Sequence, residues 1–164
     1  MTEKKSLILL LFAAILALIS AYISQFVFDY QPCILCLYQR APFFAVITLS
    51  SLSLITKKFQ KIAVIFCVIF LTINSGIAFY HVGVEQKIFA GPTTCASSNL
   101  NDFDNLEDLK NALEKTKAVR CDEPQFFFLG LSMAAWNAIY CATLALYFRL
   151  NFKLRTNRLR AVNK

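Results

Sequence analysis

Gln31-Pro32-Cys33-Ile34-Leu35-Cys36-Leu37-Tyr38-Gln39-Arg40 lies at the junction of two long apolar runs. Two cysteines stand there with two residues between them, behind a proline, and an arginine follows four residues past the second. If Cys36 opens a helix, Arg40 lies one turn further along the same face. A cation in that place favours thiolate over thiol, as does a helix N-terminus, and the thiolate is the nucleophile of disulfide exchange. Pro32 alone needs no more than a mechanical reading, as the end of an extended segment before a helix. Together the residues point to thiol redox chemistry at a membrane surface.

The flanking sequence supplies the membrane. The chain has 164 residues, 57% of them hydrophobic, and its mean hydropathy is positive. That is too apolar for a soluble domain, and the apolar residues fall in runs. Ser6 to Phe28 carries no charge. At ~1.5 Å per residue it crosses a ~30 Å hydrocarbon core with some tilt. Lys4 and Lys5 precede it as in a signal peptide, but the run exceeds the ~7–15 residues of such a segment, so a retained helix is expected. Ala41 to Thr56 is a shorter second span, extended by Leu37 and Tyr38, with Pro42 tolerable in its first turn. Ile62 to Val84 is the third, with Asn74, Ser75 and Gly76 available for helix contact. Phe126 to Phe148 is the fourth, with Gly130, Ala134 and Ala138 as a stripe of small residues. The expectation is one domain over residues 1–164: an all-α membrane protein, a bundle of four transmembrane helices over 6–28, 41–56, 62–84 and 126–148.

Lysine and arginine orient it. Lys4 and Lys5, then Lys57, Lys58 and Lys61, then Arg149, Lys153, Arg155, Arg158, Arg160 and Lys164 all fall on one side of a four-span chain. By the positive-inside rule that side, with both termini, is cytoplasmic. Cys33, Cys36, Cys95 and Cys121 then share the outer side, which in a bacterium is oxidising. The outer loop, about residues 85–125, turns at Gly91-Pro92. Its segment Asn101 to Val119 sets Phe103, Leu106, Leu109 and Leu113 on one face, predicting a short amphipathic helix along the membrane surface. The net charge of +7 does not indicate nucleic acid, because the basic residues lie in short stretches between spans with no aromatic interleaving.

The six cysteines divide into three pairs by position. Cys33 and Cys36 have redox spacing. Cys95 and Cys121 suit either a structural disulfide, worth about 3 kcal/mol, or a second relay pair. Cys67 and Cys141 sit inside spans and read as small apolar residues. Four outer cysteines allow three pairings. His81, the single histidine, is either a proton carrier near the outer end of the third span or a packed interfacial residue. A tetrahedral zinc site is the competing reading of the outer cysteines. Arg40 beside one pair and the wide spacing of the other oppose it, so no metal is expected. A bundle merely braced by disulfides is a further alternative.

With these residues in view, Pro32-Cys33-Ile34-Leu35-Cys36-Leu37-Tyr38-Gln39-Arg40 and the two-cysteine outer loop resemble the bacterial disulfide-bond formation protein B (DsbB) family. Tyr80-His81-Val82-Gly83-Val84-Glu85 with Gly91-Pro92 and Cys95 resembles its third helix and loop. Cys121-Asp122-Glu123-Pro124 leading to Leu129-Gly130-Leu131-Ser132-Met133 resembles the start of its fourth helix. The resemblance implies quinone-dependent oxidation, with ubiquinone or menaquinone, of a periplasmic thioredoxin-like partner of the DsbA type, at the bacterial inner membrane. It implies that Cys95 and Cys121 form the disulfide attacked by the partner, that Cys33 and Cys36 reoxidise it, that Cys36 faces the quinone, and that Arg40 and His81 lie near the quinone. Gln39 departs from members with an acid at that position. A paralogue with a dedicated partner shares these features. Enzymes like vitamin K epoxide reductase, which run in the reducing direction, place loop cysteines before the paired motif, whereas here they follow it.

Overall fold

A computed structural model describes residues 2–92, 120–124 and 126–162. The described residues form four helices, α1 Glu3–Phe26, α2 Ile34–Thr56, α3 Gln60–Glu85 and α4 Met133–Val162. An antiparallel hairpin, β1 Phe127–Phe128 with β2 Leu131–Ser132, precedes α4. The all-α four-helix architecture agrees with the sequence reading, and α1, α2 and α3 are each long and apolar enough to cross a membrane. Cys95 and the helix expected over Asn101–Val119 lie outside the described residues.

The core follows from helical spacing. Leu7, Leu10, Ala14 and Leu18 of α1 recur every three or four residues and so share one face. They belong to one buried cluster with Phe43 and Val46 of α2, Cys67 and Leu71 of α3, and Cys141 and Phe148 of α4. Tyr140 of α4 donates its hydroxyl to the Ala13 carbonyl of α1, 3.0 Å away, which closes the bundle. Phe12, Ile55 and Phe79 point outward and are exposed. In water such an apolar belt would drive association, whereas a lipid environment requires it. The Lys61 ammonium lies 5.6 Å from the centre of the Phe152 ring, so the α2–α3 turn and the later part of α4 share one end. Cys33, Val84 and Cys121 meet at the other.

Several boundaries differ from the sequence reading. The second helix starts at Ile34, so it includes most of the cysteine motif, and Cys33 caps it by accepting the Cys36 N–H. Pro42 is therefore inside the helix and not in its first turn. It cannot give the Tyr38 carbonyl a hydrogen bond, a loss that membrane helices tolerate. The fourth helix begins at Met133, not Phe126. Leu129 and Gly130 have φ of 52° and 78°, the pair of left-handed residues that makes a two-residue hairpin turn and that a right-handed helix excludes. Gly130 thus leaves the small-residue stripe. Ser75 instead donates to the Ala138 carbonyl at 3.3 Å across α3 and α4. Gly76 is exposed, with open space where a Cβ would stand.

The end of α3 is closed by a left-handed residue, Lys87 at φ 58°. Ile88 N donates to Gly83 O at 2.8 Å and Lys87 N to Val84 O at 3.0 Å, the paired bonds of a Schellman cap. The reversal lays Phe89 on Tyr80, ring centres 5.7 Å apart, and over Gly83. A Cβ at Gly83 would overlap the Phe89 ring. Gly83→Ala is predicted to destabilise by about 1–3 kcal/mol through overpacking. Thermal unfolding in detergent should show this as a lower midpoint, with Phe89→Ala reducing the further loss. Strictly additive losses would contradict the contact.

Candidate active site

The site is built where the starts of α2 and α4 meet the end of α3. The α2 cap turns the Cys33 sulfur back toward Cys36, and the Cys33 thiol donates to Cys36 Sγ at 3.2 Å. That separation is a thiol–thiol hydrogen bond, well beyond the ~2.05 Å of a disulfide. The bond to Cys36 and burial push the Cys33 thiol up to about 12, so Cys33 holds the proton of the pair.

His81 approaches from α3. It is 3% exposed, and its Nε2 lies 3.5 Å from Cys33 Sγ. Its Nδ1 lies 2.9 Å from Gln39 Nε2. Asn137 Nδ2 donates to Gln39 Oε1 at 2.7 Å, so the Gln39 amide presents its NH₂ to the ring. A ring nitrogen that accepts leaves the hydrogen on the other, so Nε2–H faces Cys33. Glu85, one turn on, places Oε1 3.8 Å from Nε2, while its Oε2 accepts the Ser132 hydroxyl at 2.5 Å. Ser132 also caps α4 by accepting the Ala135 N–H at 3.2 Å.

Cys121 packs against this pair. It is 7% exposed, in a cluster with Cys33, Leu35 and Val84. Burial is the main cause that pushes its thiol up to about 11, with a hydrogen bond to Cys33 adding to it and the backbone N–H groups of Leu35 and Ile34 opposing it. Arg120 and Asp122 pair at 2.7 Å on either side of Cys121, and the guanidinium holds the Asp122 carboxyl below its usual range.

Arg40, one turn past Cys36 on α2, is held by α1. Its Nη1 donates to Gln25 Oε1 at 2.7 Å and its guanidinium sits 4.9 Å from the centre of the Tyr22 ring, both on α1. It acts on the site as part of a cavity wall. That cavity, of about 560 Å³, has Leu16, Phe43, Trp136 and Tyr140 among its walls and Cys36 and Arg40 among its polar lining. Cys33, His81 and Cys121 border the same space. The hairpin is tied to one wall by the Trp136 indole N–H, which donates to the Phe128 carbonyl at 3.0 Å.

Five of the six expected site residues thus come together, and the sixth, Cys95, is outside the described residues. The ligand atoms of Cys33, Cys36 and His81 lie within 4.8 Å of one another, close enough for a zinc-class ion. The ring hydrogen on Nε2, however, makes His81 a donor toward the sulfurs. Gln39, Asn137 and Glu85 were not anticipated as site residues. The available signal was polarity within apolar spans, which in a membrane marks function.

The arrangement can exchange disulfides among neighbouring sulfurs beside an apolar chamber. The family model described as Disulfide bond formation protein DsbB matches residues 3–150. The chain is also similar to an uncharacterized protein, RP370, of Rickettsia prowazekii (strain Madrid E), at 28% identity over 144 residues, covering 87% of this chain and 84% of that one. With nearly its whole length matched, this multi-pass membrane protein belongs to the DsbB family of disulfide bond formation proteins.

Proposed function

We propose that the protein is a quinone-dependent thiol oxidoreductase of the bacterial inner membrane that reoxidises a DsbA-like periplasmic dithiol oxidase. The observation that carries this reading is the gathering of Cys33, Cys36 and Cys121 on one apolar cavity that Arg40 also lines. The basic residues at the opposite end set that end in the cytoplasm by the positive-inside rule.

The chemistry is a series of thiolate attacks, each breaking one S–S bond as it makes another. A partner thiolate attacks the Cys95–Cys121 disulfide and Cys121 leaves. Cys121, packed on Cys33, attacks the Cys33–Cys36 disulfide at Cys33 and frees Cys36 toward the cavity. The second partner thiol resolves the mixed disulfide and frees Cys95, which attacks Cys121 in the Cys33–Cys121 bond and releases Cys33, so the two electrons and two protons lost by the partner come to rest on Cys33 and Cys36. His81 Nε2, 3.5 Å from Cys33 Sγ, is placed to hold or pass a proton there.

A quinone bound beside Cys36 would supply the acceptor for those two electrons and two protons. The cavity suits its ring: its size falls within the ~300–1,000 Å³ of ligand pockets, its walls are mainly apolar, and Arg40 offers a charged donor for a carbonyl oxygen. Gln25 and Tyr22 hold that guanidinium in place.

With reduced DsbA as donor, Cys36→Ser is predicted to abolish quinone reduction followed by absorbance. Turnover at the wild-type rate would refute the assignment. Arg40→Ala should raise the KM for quinone roughly tenfold or more, the loss of one charge-assisted hydrogen bond. An unchanged KM would remove Arg40 from the quinone site. Cys95→Ser should block reoxidation of DsbA, while reoxidation at the normal rate would sink the loop half of the scheme.

A further inference from the structure

The buried cysteine Cys141, which plays no part in the exchange reactions, belongs to a hydrogen-bond chain that ends on Cys36. Asn74 Nδ2 donates to Cys141 Sγ at 3.4 Å, and Cys141 donates to Asn137 Oδ1 at 3.4 Å. Asn137 donates to Gln39 at 2.7 Å, and Gln39 to His81 Nδ1 at 2.9 Å. His81 Nε2–H then points at Cys33 Sγ, and Cys33 donates to Cys36. Every bond runs in one direction, from α3 through α4 and α2 back to α3, and then to the cysteine pair.

We propose that Asn74, Cys141, Asn137 and Gln39 are positioning residues that lock His81 in its Nε2–H form and thereby aim the Cys33 proton at Cys36. The inference rests on the reading of Cys36 as the sulfur that faces the acceptor.

Two features of the chain support it. Asn74 and Cys141 are fully buried and Gln39 is 7% exposed, while Asn137 is half-buried at the cavity wall, so most of the chain lies away from water. Bonds in such surroundings polarise one another, so a donor at one end strengthens acceptance at the other. The direction is also the same at both ends. Asn74 donates through Nδ2 to Cys141 and leaves its buried Oδ1 without a hydrogen-bond partner. At the other end, Glu85 is the rival acceptor for the His81 hydrogen, but its Oε1 stands at 3.8 Å and its Oε2 is taken by Ser132. Cys33 is therefore the acceptor of His81. A glutamine at position 39 can pass the orientation on because its two amide ends are distinct, donor on one side and acceptor on the other.

The test uses full-length reduced protein in detergent, with no quinone and no partner. The ¹⁵N shifts of the His81 ring report its tautomer. Peptide-resolved mass spectrometry reports the rate of Cys36 alkylation by iodoacetamide at fixed neutral pH. Wild type should show the Nε2–H form. Asn137→Leu and Cys141→Ala should mix the tautomers and slow Cys36 alkylation about 3- to 10-fold, the effect of one hydrogen bond. Cys141→Ser, which keeps a donor and an acceptor, should behave as wild type. A purely structural role for Cys141 would leave the tautomer unmoved. The Nδ1–H form in wild type, or unchanged tautomer and alkylation in Cys141→Ala, would overturn the proposal. Because Cys141 is distant in sequence from the cysteine motif and its change is small, this variant decides the matter even if Asn137→Leu does not fold. Either adverse result leaves the Cys36→Ser test of quinone reduction standing on its own.

Discussion

Polar groups inside a lipid-embedded bundle have no water to turn to, so they must satisfy one another. The bond from Gln39 to His81 is where that constraint meets the chemistry. Gln39 is on α2, His81 on α3 and Asn137 on α4, so the three side chains pair only when three helices are in register. Breaking one bond would strand two buried polar groups, at a cost of about 1–3 kcal/mol each. The same network that holds the helices together therefore sets the sulfur geometry at their end.

Around this network the packing is simple. Apolar side chains fill the middle of the bundle and cover its outside, so hydrophobicity alone gives the helices little preference for one rotation over another. Directional contacts supply that preference: Tyr140 to Ala13, Ser75 to Ala138 and the chain through Asn137. At the cysteine end the helix termini are closed by side chains with second duties. Cys33 caps α2 and donates to Cys36, while Ser132 caps α4 and holds Glu85.

The spans and the cysteine motif were legible because membrane thickness sets the length of an apolar run and because spacing along a chain is visible in it. The hairpin before α4 was not. Phe126 to Ser132 is as apolar as a helix start, and only the backbone angles at Leu129 and Gly130 separate the two. Pro42 was assigned to a first turn because the helix was taken to begin after the cysteine motif. Arg40 was read against Cys36 through local spacing, whereas its partners Gln25 and Tyr22 belong to another helix. The links of Gln39 to His81, 42 residues apart, and to Asn137, 98 apart, depend on the tertiary fold, and no periodicity reveals them.

The central claim is that Cys121 lies on Cys33 at one end of the bundle. The most direct measurement replaces Cys36 and Cys95 with serine, oxidises the membrane-embedded protein mildly, and maps its disulfides by mass spectrometry. The account predicts an intramolecular Cys33–Cys121 bond in most of the protein. Two free thiols, or bonds only between molecules, would contradict it.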